Sequence, residues 1–394
     1  MVDSAMIPHL IKYMGSKREI LKDICDVVDA LEVQSEWFCD LFAGTSIVSY
    51  AMSDRYNIIS NDIQQYSSVF AKTYFGSYEY KESISELVSN ILQKSLRYIN
   101  SLNDAFPFLR EISLYSDNIE YEDFISIEKL QRELVDMDFH QDYTLFTKCY
   151  SGTYWSLLQC EWIDSLRRTA EDYKDSSLYY AILSSIIFAM SYSSQSTGHF
   201  AQYRKITKNN YKNILLYRRR SIPDLFAKKL EEILTICKNN ITNECVCWSL
   251  DYRECLEHIS EGSIVYADPP YSNVHYSRFY HVVETLVRYD NPTLKYNGRY
   301  RIDRHQSPFD QSRHVREAFI DLFRGVKSTS SHLIISYSDN GMLTPDDIIS
   351  IGEEIMGDEY QHKLYSKEYS HMKMGRSGDY KMDVCELLIT FKKV

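Results

Sequence analysis

A short apolar run that ends in two consecutive prolines constrains the fold of this chain more than any other segment. The run Ser263-Ile264-Val265-Tyr266 has the composition of a buried strand, and the tetrapeptide Asp268-Pro269-Pro270-Tyr271 follows almost directly. Proline has no backbone N–H to donate to a sheet, so two prolines mark the end of a strand rather than its middle. The sequence therefore predicts a strand whose carboxyl end presents a carboxylate, a rigid turn and an aromatic ring.

Such a strand end can hold a flat heterocyclic amine. The Asp268 carboxylate and the Pro269 carbonyl can accept hydrogen bonds from one amino group, while the Tyr271 ring stacks on the heterocycle. The exocyclic amine of a nucleobase is a poor nucleophile because its lone pair is delocalised into the ring. Two acceptors favour a tetrahedral nitrogen and free that lone pair for attack on a sulfonium methyl group, so catalysis would rest on positioning and electrostatics. The alternative is a purely structural turn.

The N-terminal region predicts a βαβ unit with a ligand at its first turn. A strand is predicted at 37–42, Gly44 interrupts it, and a second strand is predicted at 56–60. A glycine here lets a ligand approach the backbone, although such turns occur throughout α/β proteins. One glycine does not make the dinucleotide fingerprint, and it suits a ligand without a pyrophosphate. Asp62 ends the second strand and can accept hydrogen bonds from ribose hydroxyls, with a turn or helix cap as the alternative.

A long helical region interrupts this alternation of strands and helices. Apolar residues have helical spacing from about residue 67 to residue 243, and strand signals resume at Cys245. The sequence thus predicts one discontinuous α/β domain, residues 1–66 and 244–394, with a helical domain at 67–243 inserted into it. After the strand at 245–248, Asp251 and Tyr252 can hold an adenine ring by its amine and its face, or Asp251 can simply cap a helix.

Composition narrows the class of protein further. Among 394 residues, 44% are hydrophobic and 25% charged, which is typical of globular proteins, and no apolar run reaches the roughly 18–20 residues that span a bilayer. Lys12, Lys17 and Arg18 interrupt any N-terminal signal-like segment. Nine cysteines, an odd number without zinc-type spacing, predict neither a complete disulfide framework nor a metal site. We expect a cytoplasmic protein without membrane contact.

Together the motifs resemble the Dam-like, alpha-group DNA adenine-N6 methyltransferases. Four motifs occur in that family's order, namely Tyr13-Met14-Gly15-Ser16-Lys17, Asp40-Leu41-Phe42-Ala43-Gly44, Asn61-Asp62 and Asp268-Pro269-Pro270-Tyr271. Weaker matches lie at 386–388 and at 277–281, where the sequence is similar to the FokI modification methyltransferase branch. The resemblance covers residues 1–66 and 244–394.

The resemblance implies S-adenosylmethionine as methyl donor, a Rossmann-like methyltransferase sheet and a helical target-recognition domain. By the same resemblance, Asp268, Pro269, Pro270 and Tyr271 would hold the base. The residues implied at the cofactor are Tyr13, Lys17, Asp40, Phe42, Gly44, Asp62, Asp251 and Tyr252. The implied function is site-specific adenine methylation of DNA in a restriction–modification or defence system, with a cognate restriction endonuclease as a possible partner.

Double-stranded DNA is the expected partner, and the target base must be flipped out of the helix to reach such a site. Residues 203–220 contain seven Lys or Arg and no acid in a chain of net charge −11, which favours local phosphate contacts, although charge runs are often solvated faces. The DNA-contact candidates are Arg204, Lys205, Arg218, Arg219, Arg220, Arg299 and Arg301. His199 and His281 are candidates for stabilising the flipped base or for structural hydrogen bonds.

Two alternative functions remain open at this stage. The same amine chemistry serves the N4 amine of cytosine or an RNA base, although serine in place of Asp268 is the commoner resemblance there. A non-catalytic DNA-binding protein could also retain the fold, but the intact acidic and aromatic positions argue against it. The sequence therefore favours an adenine-specific DNA methyltransferase.

Overall fold

A seven-stranded, mostly parallel sheet forms the centre of the fold. The computed structural model describes residues 7–394 apart from 114, 197–198, 238–240, 272–274 and 373–380. Its strands are β1 (Trp37–Asp40), β2 (Asn57–Asn61), β3 (Cys245–Trp248), β4 (Ile264–Ala267), β5 (Leu294–Lys295), β6 (Tyr300–Arg301), β7 (His332–Ser338), β8 (Tyr360–Met372) and β9 (Lys381–Lys393). The order in the sheet is β3-β2-β1-β4-β7-β9-β8, and β5 with β6 forms a separate hairpin. Strand β9 runs antiparallel to both of its neighbours.

Fifteen helices occur in the described ranges. They are α1 (Leu21–Ala30), α2 (Ile47–Met52), α3 (Gln65–Tyr74), α4 (Ile84–Ala105), α5 (Phe108–Ser113), α6 (Tyr121–Glu133), α7 (Leu145–Tyr150), α8 (Leu157–Ala170), α9 (Leu178–Ser193), α10 (Tyr211–Arg218), α11 (Ile222–Ile236), α12 (Tyr252–His258), α13 (Tyr276–Arg288), α14 (Val315–Ser328) and α15 (Pro345–Met356). Nine of these, α3 to α11, lie between β2 and β3. The helical region predicted between the two halves of the sheet is therefore present.

The central strands are buried on both faces. All four residues of β4 and all seven of β7 are buried, which explains why β4 and the segment 333–335 of β7 are apolar without alternation. Chain order reverses beside β1, which pairs with β2 on one side and with β4 on the other. In open parallel sheets ligands bind beyond the carboxyl ends of the strands at such a switch point. The topology therefore directs a site to the ends of β1, β2, β3 and β4.

The helical region packs directly on one face of the sheet. Helix α9 is apolar on nearly all sides and is buried between α3, α8 and α11. Its Leu183 and the α11 residue Ile233 belong to the same hydrophobic cluster as Phe38 of β1 and Ile264 of β4. A second cluster, with α12, α14 and α15, covers the opposite face. Because the core continues across the predicted boundaries at 67 and 243, the division into two domains stays a prediction.

Two general properties concern the described residues as a whole. Their helices include none with the length and hydropathy required to cross a bilayer. The same ranges contain no group of three or more His, Cys, Asp or Glu side chains that could hold a metal ion.

Candidate active site

A cleft of about 1050 Å³, part of it open to solvent, lies at the carboxyl ends of β1, β2, β3 and β4. Its walls come from segments that are distant in sequence, at 13–17, 40–48, 61–66, 250–252, 266–270, 276–277 and 305–310. The parallel strands bring their ends together at this edge of the sheet. The four sequence motifs thus meet in one cleft.

Two anchored carboxylates lie at the ends of β1 and β2. Asp40 Oδ2 accepts hydrogen bonds from the backbone N (3.1 Å) and Oγ (2.7 Å) of Ser49 on α2. Asp62 accepts hydrogen bonds from the backbone N of Gly44 and from that of Gln64, both at 2.9 Å. The bond from Gln64 forms a local turn, which was the structural alternative to a ligand-binding role for Asp62. Burial raises the pKa of Asp40 to about 7 and that of Asp62 to about 6. Burial thus weakens the ionisation of these two carboxyl groups, while their hydrogen bonds hold them fixed in the cleft as acceptors.

The aromatic rings of Phe42 and Tyr252 line the end of the cleft beside β3, and the buried ring of Phe309 packs against both. The ring centroids of Phe42 and Tyr252 are 5.8 Å apart, and Phe309 lies 5.4 Å from the first and 5.1 Å from the second. Asp251 stands at the rim and caps α12, accepting from the backbone N (3.0 Å) and Nε (2.9 Å) of Arg253. An apolar wall with a carboxylate beside it can bind a purine by stacking and by its amine.

The N-terminal motif is fastened over the cleft by aromatic contacts. Tyr13 stacks on Tyr280 of α13 with a centroid distance of 4.6 Å, and the Met14 backbone N donates to the Tyr280 hydroxyl at 2.7 Å. Gly44 has φ +51°, and a Cβ placed on it would lie 3.0 Å from the Tyr13 hydroxyl. The turn after β1 therefore fits closely under the N-terminal segment only because residue 44 is glycine.

Lys17 lies between two carboxylates at the catalytic end of the cleft. Its Nζ is 3.0 Å from Asp268 Oδ1 and 2.6 Å from Glu386 Oε1. Ser336 Oγ donates to the same Glu386 oxygen at 2.6 Å. Burial raises the pKa of Asp268 to about 6, with Lys17 lowering it and Glu386 raising it. Burial alone would lower the pKa of Lys17, but the two carboxylates hold it well above its usual value.

The tetrapeptide after β4 divides between the cleft and the core beside it. Asp268, Pro269 and Pro270 line the cleft, and the Asp268 side chain remains 20% exposed. The Tyr271 ring is not part of the cleft wall. It meets Tyr337 edge to face at 6.0 Å, and the Tyr271 carbonyl accepts from the Met342 backbone N at 3.1 Å. Residues 272–274, which follow, lie outside the described part of the chain.

Two of the predicted DNA contacts need correction, because both arginines are buried in ion pairs. The Arg218 guanidinium binds Glu128 at 2.8 and 3.0 Å and also donates to two backbone carbonyls. The Arg301 guanidinium binds Asp290 at 2.6 and 2.8 Å and Asp303 at 3.1 and 2.9 Å. Groups held in this way have no accessible surface for phosphate, so both arginines are structural.

The other predicted DNA contacts remain at the surface. Lys205, Arg219 and Arg220 are exposed, while Arg204 and Arg299 are half-buried. Arg220 stacks on Tyr217 at 3.8 Å and donates to the carbonyl of Tyr192. The Lys12 ammonium lies 4.3 Å from the ring centroid of the same Tyr192. A basic surface therefore adjoins the segment that leads into the N-terminal motif, and its contact with DNA stays a prediction.

The two histidines have structural partners. His281 is buried with Nε2 3.1 Å from the Phe200 carbonyl, and burial lowers its pKa to about 3, so it is neutral. His199 Nδ1 lies 3.2 Å from the Tyr280 hydroxyl and 3.2 Å from the Lys12 carbonyl. These contacts favour the structural alternative for both residues.

Several cleft residues carried no signal in the sequence. They are Tyr66, Tyr276, Ser307, Pro308 and Asp310. Ser307 caps a 3₁₀ turn with proline at its start, a pattern that predicts a turn but does not indicate what the turn faces. Glu386 matched a weak family motif without any role attached to it.

Comparison with known proteins adds evidence that is independent of this geometry. Residues 13–337 match the family model of the D12 class N6 adenine-specific DNA methyltransferases. The chain is 24% identical over 390 residues to modification methylase LlaI of Lactococcus lactis subsp. lactis, covering 97% of this chain and 55% of the relative. It is 28% identical over 378 residues to modification methylase StsI of Streptococcus sanguinis (90% and 50%). It is 25% identical over 348 residues to the type II methyltransferase M.FokI of Planomicrobium okeanokoites (86% and 46%). The chain thus spans about half the length of these curated relatives.

Proposed function

This chain belongs to the D12 class N6 adenine-specific DNA methyltransferase family, and we propose that it methylates the N6 amine of adenine at a specific sequence of double-stranded DNA. S-adenosylmethionine is the proposed donor. We also propose that the chain acts as the modification component of a restriction–modification system, beside an endonuclease that cuts the unmethylated sequence. The observation that carries the proposal is the Asp268 carboxylate in the same cleft as the anchored Asp40 and Asp62.

Asp268 and Pro269 would hold the target amine. The carboxylate and the Pro269 carbonyl would accept the two N–H groups of adenine, which turns the nitrogen lone pair toward the methyl group. Since the pKa of Asp268 is about 6, its carboxylate is mainly ionised at neutral pH and can accept. The proton leaves the nitrogen after the new N–C bond has formed, so no strong base is required. The edge-to-face contact of Tyr271 with Tyr337 gives less support to a stacking role for that ring.

The chemistry of the cleft fits S-adenosylmethionine. Bound there, the cofactor would supply a methyl group activated by a positively charged sulfur. The carboxyl groups of Asp40 and Asp62 suit its cationic and hydroxyl groups, and the rings of Phe42 and Tyr252 suit its adenine. Gly44 lets the turn that carries these groups pack closely against Tyr13.

The helical region at 67–243 is the proposed target-recognition part. Flipping the target adenine costs a few kcal/mol, which phosphate and groove contacts must offset. Lys12 and Arg220 meet at Tyr192, and the exposed Lys205 and half-buried Arg204 belong to the same basic stretch. This surface is the proposed phosphate-binding surface.

The proposal is tested by methyl transfer from tritium-labelled S-adenosylmethionine to a diverse DNA library, followed by mass spectrometry of the released nucleosides. Label in N6-methyladenine is expected. Asp268→Asn is expected to lower the transfer rate by roughly 10²- to 10³-fold. The substitution replaces one acceptor oxygen with an NH₂ group, which is a donor like the adenine amine and cannot accept its hydrogen bond.

Two comparisons make this test specific. Calorimetry should show that Asp268→Asn still binds the cofactor, and Asp142→Asn, at an exposed position outside the cleft lining, should behave like the wild type. A wild-type protein that methylates no sequence in the library would refute the proposal. Label in N4-methylcytosine would replace it with the cytosine alternative.

A further inference from the structure

We propose that Glu386 is a positioning residue, which shares the Lys17 ammonium with Asp268 and thereby keeps Asp268 a strong acceptor for the target amine. This inference rests on the proposed function, because it gives Glu386 a part in holding the adenine. Glu386 does not itself line the cleft.

The three groups come from distant parts of the chain. Glu386 lies on β9, 369 positions from Lys17, and β9 pairs antiparallel with β7. Ser336 on β7 fixes the Glu386 carboxylate from one side through its 2.6 Å hydrogen bond. The ammonium lies nearer to Glu386, at 2.6 Å, than to Asp268, at 3.0 Å. Lys17 is therefore held mainly by the residue that does not face the substrate.

Structural stability alone does not call for this arrangement. Burying charged groups is costly, and one carboxylate would be enough to neutralise one ammonium. The second carboxylate places a further negative charge beside Lys17. If Lys17 faced Asp268 alone, its ammonium would neutralise that carboxylate and compete with the adenine amine for its oxygens. Glu386 shares the ammonium, so Lys17 occupies the Asp268 oxygens less and they keep their capacity to accept a hydrogen bond from the amine.

The charges around Asp268 determine the direction in which each substitution should shift its pKa. The titratable groups that face it are Lys17, Glu386, Asp40, Tyr266, Tyr271 and Tyr276. Burial raises the pKa of each of the three tyrosines, so these remain neutral near pH 6. Lys17 lowers the pKa of Asp268, whereas Glu386 raises it. Removing one charge or the other should therefore move the Asp268 titration in opposite directions.

The test is the titration of Asp268 in Glu386→Gln and in Lys17→Met. Carboxyl ¹³C NMR of aspartate-labelled protein, without DNA or cofactor, follows this group, whose signal is assigned by its loss in Asp268→Asn. The midpoint is expected to fall below the wild-type value in Glu386→Gln and to rise above it in Lys17→Met.

Kinetics should follow the same signs. The ionised form of Asp268 is the acceptor, so activity is present above its pKa and lost as the pH falls through it. The acid limb of kcat/KM should therefore move to lower pH in Glu386→Gln. At neutral pH this variant should lose on the order of tenfold in kcat with little change in KM for DNA, because Lys17 then occupies the acceptor oxygens.

A matched control separates this role from simple stabilisation. Glu128→Gln removes a buried carboxylate that is paired with Arg218 and does not line the cleft. It should lower the unfolding temperature and leave the Asp268 midpoint unchanged. If Glu386→Gln does not fold, Glu386→Asp replaces it, because the shorter side chain keeps the negative charge at a greater distance from Lys17. The Asp268 midpoint in Glu386→Asp should lie below the wild-type value, by less than the shift expected when the charge is removed.

The inference would be overturned if the Asp268 midpoint is unchanged or raised in folded Glu386→Gln. If that variant does not fold, an unshifted Asp268 midpoint in folded Glu386→Asp would overturn it. Failure of the proposed function is a separate outcome, because a wild-type protein that methylates no DNA can still be titrated by NMR. If the Asp268 midpoint still falls in Glu386→Gln of such a protein, the proposed charge arrangement stands and only its role in catalysis is refuted.

Discussion

Replacing Gly44 by alanine should weaken cofactor binding far more than the same change at Gly262. Both glycines have positive φ, +51° and +75°, so alanine costs about 1 kcal/mol of backbone strain at either position. Their surroundings differ. A Cβ on Gly44 would lie 3.0 Å from the Tyr13 hydroxyl and 3.2 Å from two of its ring carbons, whereas a Cβ on Gly262 has nothing within 4 Å. Only the first substitution disturbs the cleft.

The size of the effect follows from the contacts of Gly44. Tyr13 is held against Tyr280 and cannot easily move away, so the turn itself must shift. That shift perturbs the 2.9 Å hydrogen bond from the Gly44 backbone N to Asp62. A hydrogen bond to a charged group contributes roughly 1.5–3 kcal/mol, and the lower value corresponds to about a tenfold rise in Kd. We therefore expect Gly44→Ala to raise the Kd for S-adenosylmethionine by about tenfold.

Isothermal titration calorimetry with S-adenosylmethionine, together with thermal unfolding of both variants, measures this difference. Gly262 precedes the amino end of β4, whereas the cleft lies at the carboxyl end. Gly262→Ala should therefore bind S-adenosylmethionine like the wild type, although it loses a similar amount of stability. Equal affinities for Gly44→Ala and the wild type would refute the reasoning, as would equal weakening by the two substitutions.

Two further predictions separate structural arginines from those proposed to bind DNA. Arg218→Met should lower the free energy of unfolding by about 3–5 kcal/mol, because it removes the guanidinium hydrogen-bonded to the buried Glu128 and leaves Arg132, 4.0 Å away, as a weaker partner. Denaturant unfolding measures this loss, and the double variant Arg218→Met/Glu128→Leu should recover most of it. Arg220→Ala should leave stability nearly unchanged, weaken DNA binding at every sequence and reduce the slope of log K against log salt by about one. Fluorescence anisotropy across a salt series measures that slope, and an unchanged slope would remove Arg220 from the DNA surface.

The sheet and the convergence of its motifs were predictable from local patterns. The strand predicted at 245–248 has those bounds, the one predicted at 56–60 is displaced by one residue, and the one predicted at 37–42 ends two residues earlier, at Asp40. The acids at 40, 62 and 268 meet because each follows a parallel strand, and such strands end at the same edge. The resemblance drawn from these motifs is confirmed by the family match.

Pairings across long sequence distances were not predictable. Residues 203–220 suggest one continuous basic surface, but Arg218 points inward to Glu128, 90 positions earlier. The pairing of Lys17 with Glu386 spans almost the whole chain. Arg301 belongs to a hairpin whose strands have two residues each, too short to give a periodic signal. In all three cases the deciding interaction is tertiary.

The common core of the sheet and the helical region limits how this protein can acquire a new DNA specificity. If residues 67–243 read the DNA sequence, exchanging them for those of a relative would also replace side chains, such as Leu183 and Ile233, that share one hydrophobic cluster with Phe38 and Ile264 of the sheet. Such a chimaera would expose apolar surface on the catalytic half and tend to aggregate. Substitutions at exposed positions of the helices leave that packing intact. New specificities should therefore arise in this chain by stepwise surface change rather than by transfer of the whole region.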